Sequence, residues 1–190
     1  MQKEEYDSDG ERMKFLRFSK IENEKILDIG FGNGRLSILA ATQYNCQVTC
    51  IENYREKLEW GKNLIQEHGL SEKIMLEYQD CRNFSYKNNM FPVVACFYVL
   101  HHIDFQNREK VVKEIIRVAE KRVAIAELTP YGAEYFDKVR HTEENHTEKL
   151  VPIKFIVEKL NTIPNIKYTY EINKFSVFIL VEKKDYVRIQ

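Results

Sequence analysis

The sequence predicts an α/β fold, an open and mostly parallel sheet with helices on both faces. Helical and strand-like periodicities alternate through most of the 190 residues. FPVVACFY (91–98) is almost continuously apolar, as a central strand buried on both faces must be. Near the end, IKYTYEI (166–172) alternates Ile166, Tyr168, Tyr170 and Ile172 against polar partners, and Asn173-Lys174 then turns the chain into FSVFILVEK, the pattern of an antiparallel hairpin. The length suits a single domain over 1–190 with one sizeable core.

KILDI (25–29) reads as the first strand, and the helix after it places Leu36, Leu39, Ala40 and Gln43 at helical spacing. QVTCIE (47–52) is a second strand. The helix that follows carries Tyr54, Leu58, Gly61 and Ile65 on one stripe, and Gly69 stops it. IMLEYQ (74–79) is a third strand and FPVVACFY the fourth. Asp104 is positioned to cap a helix whose inward face is Val111, Val112, Ile115, Ile116 and Ala119, leading into the fifth strand RVAIAEL (122–128). From Thr129 to Lys149 the pattern breaks into a polar, partly helical excursion before VPIKFIVEKL resumes helical spacing. Residues 1–20 are expected to form a helical N-terminal extension, and 129–160 a lid or substrate-facing insertion.

Composition narrows the function classes. Hydrophobic residues make up 44% and charged ones 31%, as in ordinary soluble domains. Apolar runs such as VFILV are too short to span a bilayer, and MQKEEYDSDGERMKF lacks the basic start and apolar stretch of a secretory signal, so a cytoplasmic address is expected. Basic and acidic residues balance at 29 each, which leaves no overall field to draw nucleic acid or anionic lipid. The four cysteines form no CxxC pair, and Cys46, Cys50 and Cys96 read as buried, inert thiols.

The informative stretch is ILDIGFGNGRLSILA (26–40), where a carboxylate ends an apolar strand and three glycines follow at alternate positions. Glycine permits φ > 0 and removes the Cβ that would block a ligand, so Gly30, Gly32 and Gly34 let backbone approach a ligand at the sheet edge. Asp28 bears a desolvation cost unless loop amides, water or a ligand's amino group donate to it. Glu52 ends the second strand 22 residues after Gly30, near the offset at which an acid accepts both hydroxyls of a ribose. Asp80, after the third strand, is placed to accept from an adenine amino group while the Cys81 backbone meets the ring edge, with Ile51 or Phe84 as apolar neighbours.

DIGFGNG, Glu52, QDCRNF and FYVLHHI resemble the ordered motifs of class I S-adenosylmethionine-dependent methyltransferases, of the small-molecule, type 11-like kind, over about residues 20–185. The resemblance implies a three-layer αβα sandwich with a Rossmann-like, seven-stranded, mostly parallel sheet of order 3-2-1-4-5-7-6 and an antiparallel last strand. It implies S-adenosylmethionine as cofactor, S-adenosylhomocysteine as product, and Asp28, Gly30, Phe31, Gly32, Gly34, Glu52, Asn53, Asp80, Cys81 and Tyr98 as its binding residues. His101 and His102 would border the acceptor site, where a neutral imidazole can take a proton. The blander reading packs one of them against cofactor or core and caps a turn with the other.

Three rivals are weighed against this. A dinucleotide-binding oxidoreductase would favour GxGxxG after an uncharged strand end, whereas the chain has GxGxG after Asp28. The fourth strand lacks the Asn/Asp-Pro-Pro-Tyr type tetrapeptide of enzymes that methylate base or glutamine amines, which points to a small-molecule acceptor ahead of RNA or protein. A non-catalytic cofactor-binding subunit could keep the same pocket. His141, His146, Glu143, Glu144 and Glu148 offer metal-binding side chains, but histidines five apart do not share a helical face, so no metal is expected.

Overall fold

The computed structural model describes residues 6–140 and 150–184. Its strands are β1 (Lys25–Ile29), β2 (Gln47–Glu52), β3 (Ile74–Tyr78), β4 (Phe91–Phe97), β5 (Ala119–Leu128), β6 (Ile166–Ile172) and β7 (Ser176–Lys183). Its helices are α1 (Ser8–Phe18), α2 (Arg35–Gln43), α3 (Arg55–Glu67), α4 (Phe105–Val118), α5 (Pro130–Arg140) and α6 (Ile153–Leu160). The sheet runs β3-β2-β1-β4-β5-β7-β6, the order the resemblance implies. The first five strands pair in parallel, and β7 enters antiparallel between β5 and β6.

Alternation along β1 divides the core. Leu27 and Ile29 pack into the layer that α4 and α6 cover with Val111, Ile115, Ile156 and Leu160. Ile26 faces the other layer, with Phe15 and Leu16 of α1, Ala40 and Ala41 of α2 and Ile65 of α3. Asp7 caps α1 by accepting from the Gly10 amide at 2.9 Å, and Asp9 and Glu11 in the first turn with Arg17 in the last suit the helix dipole. The rings of Phe97 and Phe178 meet Phe15 edge-on, which docks α1 over β4 and β7.

Several local expectations shift. Tyr54 lies outside the buried stripe of α3: it is the N-cap residue and is 64% exposed, with the Lys57 ammonium over its ring. Gly69 does stop that helix, with φ +65. Asp104 precedes α4, but the backbone carbonyl rather than the side chain takes the Asn107 N–H at 2.8 Å. Ala119 belongs to β5, which starts early because a register shift between Phe91 and Val93 lets it pair with Phe91. Among the described residues β6 is the edge strand, and Tyr170 and Ile172 remain exposed while Tyr168 packs against the core. His141, His146, Glu143, Glu144 and Glu148 lie outside the described residues. Among the described residues, no helix is long and apolar enough to cross a membrane.

Candidate active site

The carboxyl ends of β1, β2 and β4 open onto two adjoining chambers of about 630 and 430 Å³, which share Gly30, Gly32, Lys57, Phe97, Tyr98 and His102. This is the edge at which open parallel sheets bind ligands. Gly30 leaves β1 with φ +82 while its amide still donates to the Ile51 carbonyl at 3.1 Å, so the chain turns away without breaking the ladder. Gly34 lines neither chamber. It holds the left-handed N-cap of α2, and a Cβ there would sit 2.7 Å from the Phe31 ring. Its missing side chain makes room for Phe31, which itself lines the larger chamber.

Asp28 stands at the floor of that larger chamber, 2% exposed. Oδ2 accepts from the Ser37 hydroxyl at 2.6 Å, whereas buried Oδ1 has no hydrogen-bond partner. Burial pushes the carboxyl up to about 7, an effect that Ser37 and the neighbouring Cys50 only partly offset. Across the chamber, Arg12 of α1 donates to the carbonyl and hydroxyl of Ser8 at 2.8 and 2.5 Å and lies 5.0 Å above the Phe97 ring. Tyr6, Leu128 and Phe136 complete the wall.

The smaller chamber is built around Glu52, 5% exposed at the end of β2. Its Oε1 accepts from the amides of Asn53 and Tyr54 at 2.9 and 3.0 Å, which fixes the carboxylate at the rim. Asn53, Cys81, Ile51, Val99 and Ile103 line the rest. Asp80 is not brought in. Its carboxylate accepts from the Arg82 amide at 2.8 Å and from the guanidinium at 2.6 to 3.0 Å, which holds it below the usual carboxylate range. Phe84 likewise turns to the core, 5.7 Å from the Tyr86 ring, and Gln79 lines the chamber from the β3 end.

Tyr98 follows β4 with φ +58, a conformation costing on the order of 1–3 kcal/mol for a bulky residue. Two sets of bonds hold it there. Its amide donates to the Ala126 carbonyl at 2.9 Å, and its hydroxyl bonds Ser176, which in turn donates to Glu11 of α1 at 2.6 Å. The bend sends the chain into a 3₁₀ turn, Leu100–His102, that puts His102 at the junction of the chambers. His101 is 4% exposed, with Nδ1 at 2.8 Å from Oε2 of Glu127 and Nε2 at 3.1 Å from Nε2 of His102.

The profile of the methyltransferase-domain family matches residues 26–122, a little over half of the chain and the segment that holds Asp28, Glu52 and His101. The chain belongs to the class I methyltransferase family. Among curated methyltransferases, it is 32% identical over 110 residues to norajmaline N-methyltransferase of Rauvolfia serpentina, a match covering 55% of this chain and 37% of that one. It is 30% identical over 95 residues to 27-O-demethylrifamycin SV methyltransferase of Amycolatopsis mediterranei, covering 50% and 34%. The chain therefore spans well under half the length of these relatives. In structure it superposes on a SAM-dependent methyltransferase from Aquifex aeolicus with a TM-score of 0.71 at 16% identity, covering 90% of this chain and 89% of that one. Magnesium protoporphyrin IX methyltransferase from Synechocystis, solved with bound S-adenosylhomocysteine, gives 0.70 at 15%, covering 93% and 81%. At such identities these two show the methyltransferase fold.

Of the residues expected to serve the methyltransferase site, Asp28, Gly30, Phe31, Gly32, Glu52, Asn53, Cys81, Tyr98, His101 and His102 line the crevice, and Gly34 and Asp80 do not. The sequence reading missed Arg12 and Glu127. Glu127 carried the same signal as Asp28, a carboxylate within an apolar strand, whereas nothing local to Arg12 tells where α1 docks.

Proposed function

We propose that the chain transfers the methyl group of S-adenosylmethionine to a small-molecule acceptor in the cytoplasm. The observation that carries this reading is the unpartnered Oδ1 of Asp28 in a chamber that also holds the Arg12 guanidinium. A buried anion with one unused oxygen, facing a cation, fits the ammonium and carboxylate of an amino-acid tail. Glu52 next door has the acceptor oxygens a ribose diol requires, and Cys81, Ile51 and Ile103 give a flat base an apolar slot.

Bound there, S-adenosylmethionine would supply a methyl group already activated by its sulfonium. The chain's own residues would bind and align: Asp28 and Arg12 one end, Glu52 and Asn53 the other, Gly30 and Gly32 the middle. Alignment of that kind supplies roughly 7–11 kcal/mol. Tyr6 and Phe136 would shield the larger chamber from water, with α1 and α5 framing the acceptor's entrance. The relatives named for norajmaline and a demethylrifamycin support a small organic acceptor, and four free, buried cysteines suit a reducing compartment.

Calorimetry with S-adenosylhomocysteine and with NAD tests the cofactor: micromolar or tighter binding of the first alone is expected. For the acceptor, the chain is incubated with labelled donor and a metabolite extract, tRNA or protein. Label in the metabolite fraction alone is expected, and label in tRNA or protein would overturn that part.

A further inference from the structure

The final hairpin leaves β6 at one end of the sheet, with β7 as its only strand neighbour among the described residues. The Lys184 amide donates to the Asn165 carbonyl at 2.9 Å and the Asn173 amide to the Ser176 carbonyl at 2.8 Å, and the register between them is unbroken. Antiparallel ladders alternate, so Lys167, Thr169 and Glu171 direct their backbone N–H and C=O groups to β7. The same groups of Ile166, Tyr168, Tyr170 and Ile172 therefore point outward from the edge. Such a row is a template for another strand.

The side chains of this strand are self-complementary. IKYTYEI reads alike in both directions except that Lys167 and Glu171 exchange places. On one face, Ile166 and Tyr168 pack on the core and the Tyr168 hydroxyl donates to Asn161 at 2.9 Å, whereas Tyr170 and Ile172 are 52% and 61% exposed. The other face carries Lys167, Thr169 and Glu171, all exposed, with the Lys167 ammonium 3.3 Å from Glu182 of β7. Charges on an edge commonly serve to repel other strands. These two are opposite in sign and equally far from Thr169, so a reversed copy centred there meets each with its counterion.

We propose that β6 pairs with β6 of a second copy of this chain, antiparallel and centred on Thr169, so that two seven-stranded sheets join into one. The outward-facing Tyr168 and Ile166 exchange backbone hydrogen bonds with Tyr170 and Ile172 of the second copy. Lys167 lies opposite Glu171 of the second copy at the narrow positions where side chains approach most closely. Each exposed Tyr170 and Ile172 is set beside the core-packed Tyr168 and Ile166 of the other copy. Centred one residue either way, the pairing would set Lys167 or Glu171 against Thr169 and lose both ion pairs. Because β6 runs parallel to β5 and the second copy is reversed, the two crevices open at opposite edges of the joined sheet and neither is covered. The pairing is independent of the methyl-transfer reading.

The contact is one strand long, so dissociation in the range of about 1–100 μM is expected. Sedimentation of the full-length native chain from about 1 to 300 μM should show monomer giving way to dimer. Glu171→Lys sets like charges opposite each other twice and should raise the dissociation constant at least about tenfold, and Lys167→Glu should do the same. An equimolar mixture of the two variants should dimerise about as tightly as the native chain, since each supplies the charges that the other needs. Thr169→Cys brings two thiols across the axis with Cα atoms about 4.5 Å apart, a separation that a disulfide accepts, so mild oxidation should link the chains. Lys167→Cys leaves its thiols at least about 13 Å apart and should not link them. The natural cysteines are buried, and the native chain is the control.

A native chain that stays monomeric to about 300 μM overturns the proposal, and the edge then belongs to another segment of the chain, to a different protein or to solvent. A dimer that Glu171→Lys leaves intact, or that links as readily through Lys167→Cys as through Thr169→Cys, overturns it too, because the copies then meet elsewhere. Should Lys167→Glu, whose new carboxylate lies beside Glu182, fail to fold, the two cysteine variants decide the question.

Discussion

Asp28 accepts a 2.6 Å hydrogen bond from Ser37 on one carboxylate oxygen and meets no donor on the other, although both lie beneath the sheet edge. Its raised carboxyl, at about 7, has a direct consequence for ligand affinity. An ammonium prefers the ionised form, so affinity for S-adenosylhomocysteine should rise as pH increases through about 7 and then level off. Calorimetry across pH 6–8 checks this. Asp28→Asn should bind more than tenfold more weakly and show no such rise.

Stability of the ligand-free chain should move the other way. The folded state holds the Asp28 proton more tightly than the unfolded chain does, so this group's stabilising contribution is complete below about 4 and is lost as pH rises through about 7. The loss is on the order of 1.4 kcal/mol per pH unit across that window. Denaturant titrations should show native protein losing more stability than Asp28→Asn between pH 5 and 8.

Glu52 separates binding from folding. Glu52→Gln keeps a carbonyl oxygen for the amides of Asn53 and Tyr54, so its melting temperature should be unchanged. Affinity for S-adenosylhomocysteine should drop more than about tenfold, since charge-assisted acceptance is roughly twice as strong. Retained affinity would remove Glu52 from the pocket.

Arg12 makes a prediction about one end of the ligand alone. Arg12→Met keeps an unbranched apolar side chain near Phe97 but removes the cation that sits over its ring, so S-adenosylhomocysteine should bind about tenfold more weakly while 5′-methylthioadenosine, which lacks the amino-acid tail, binds as before. Equal losses for both compounds would mean that Arg12 acts only through the packing of α1.

Two glycines should fail differently when given a methyl group. At Gly132 a Cβ would lie 2.2 Å from the Phe175 carbonyl oxygen, and backbone cannot step aside, so Gly132→Ala should cost about 1–3 kcal/mol in thermal melts. At Gly32 nothing lies within 4 Å, and the cost is limited to the φ of +55, about 1–2 kcal/mol. Gly32→Ala should nonetheless abolish most ligand binding, because its Cβ enters both chambers.

The parts legible in the sequence were those written in neighbouring residues. Most strand limits followed from apolar runs, the polar start of β5 being the exception, and Asp28 and Glu52 announced themselves as charges at the ends of such runs. Asp80 was read by its place in a series, and the competing donor two residues on, Arg82, was left out of account. Glu127 was legible by the same rule as Asp28 and went unread. The bond between Ser176 and Glu11 spans 165 positions, and no local pattern encodes it.

That span has a consequence for how the protein comes into being. The groups that receive α1 include Phe178 and Ser176, both on the final strand of the sheet, and β7 must slip between β5 and β6 to bring them there. During synthesis α2 and Phe97 of β4 can receive α1 early, but its dock stays incomplete until residues 176–183 have left the ribosome. The wall that Tyr6 and Arg12 contribute to the crevice is thus among the last features to be completed, though it is translated before every strand beneath it.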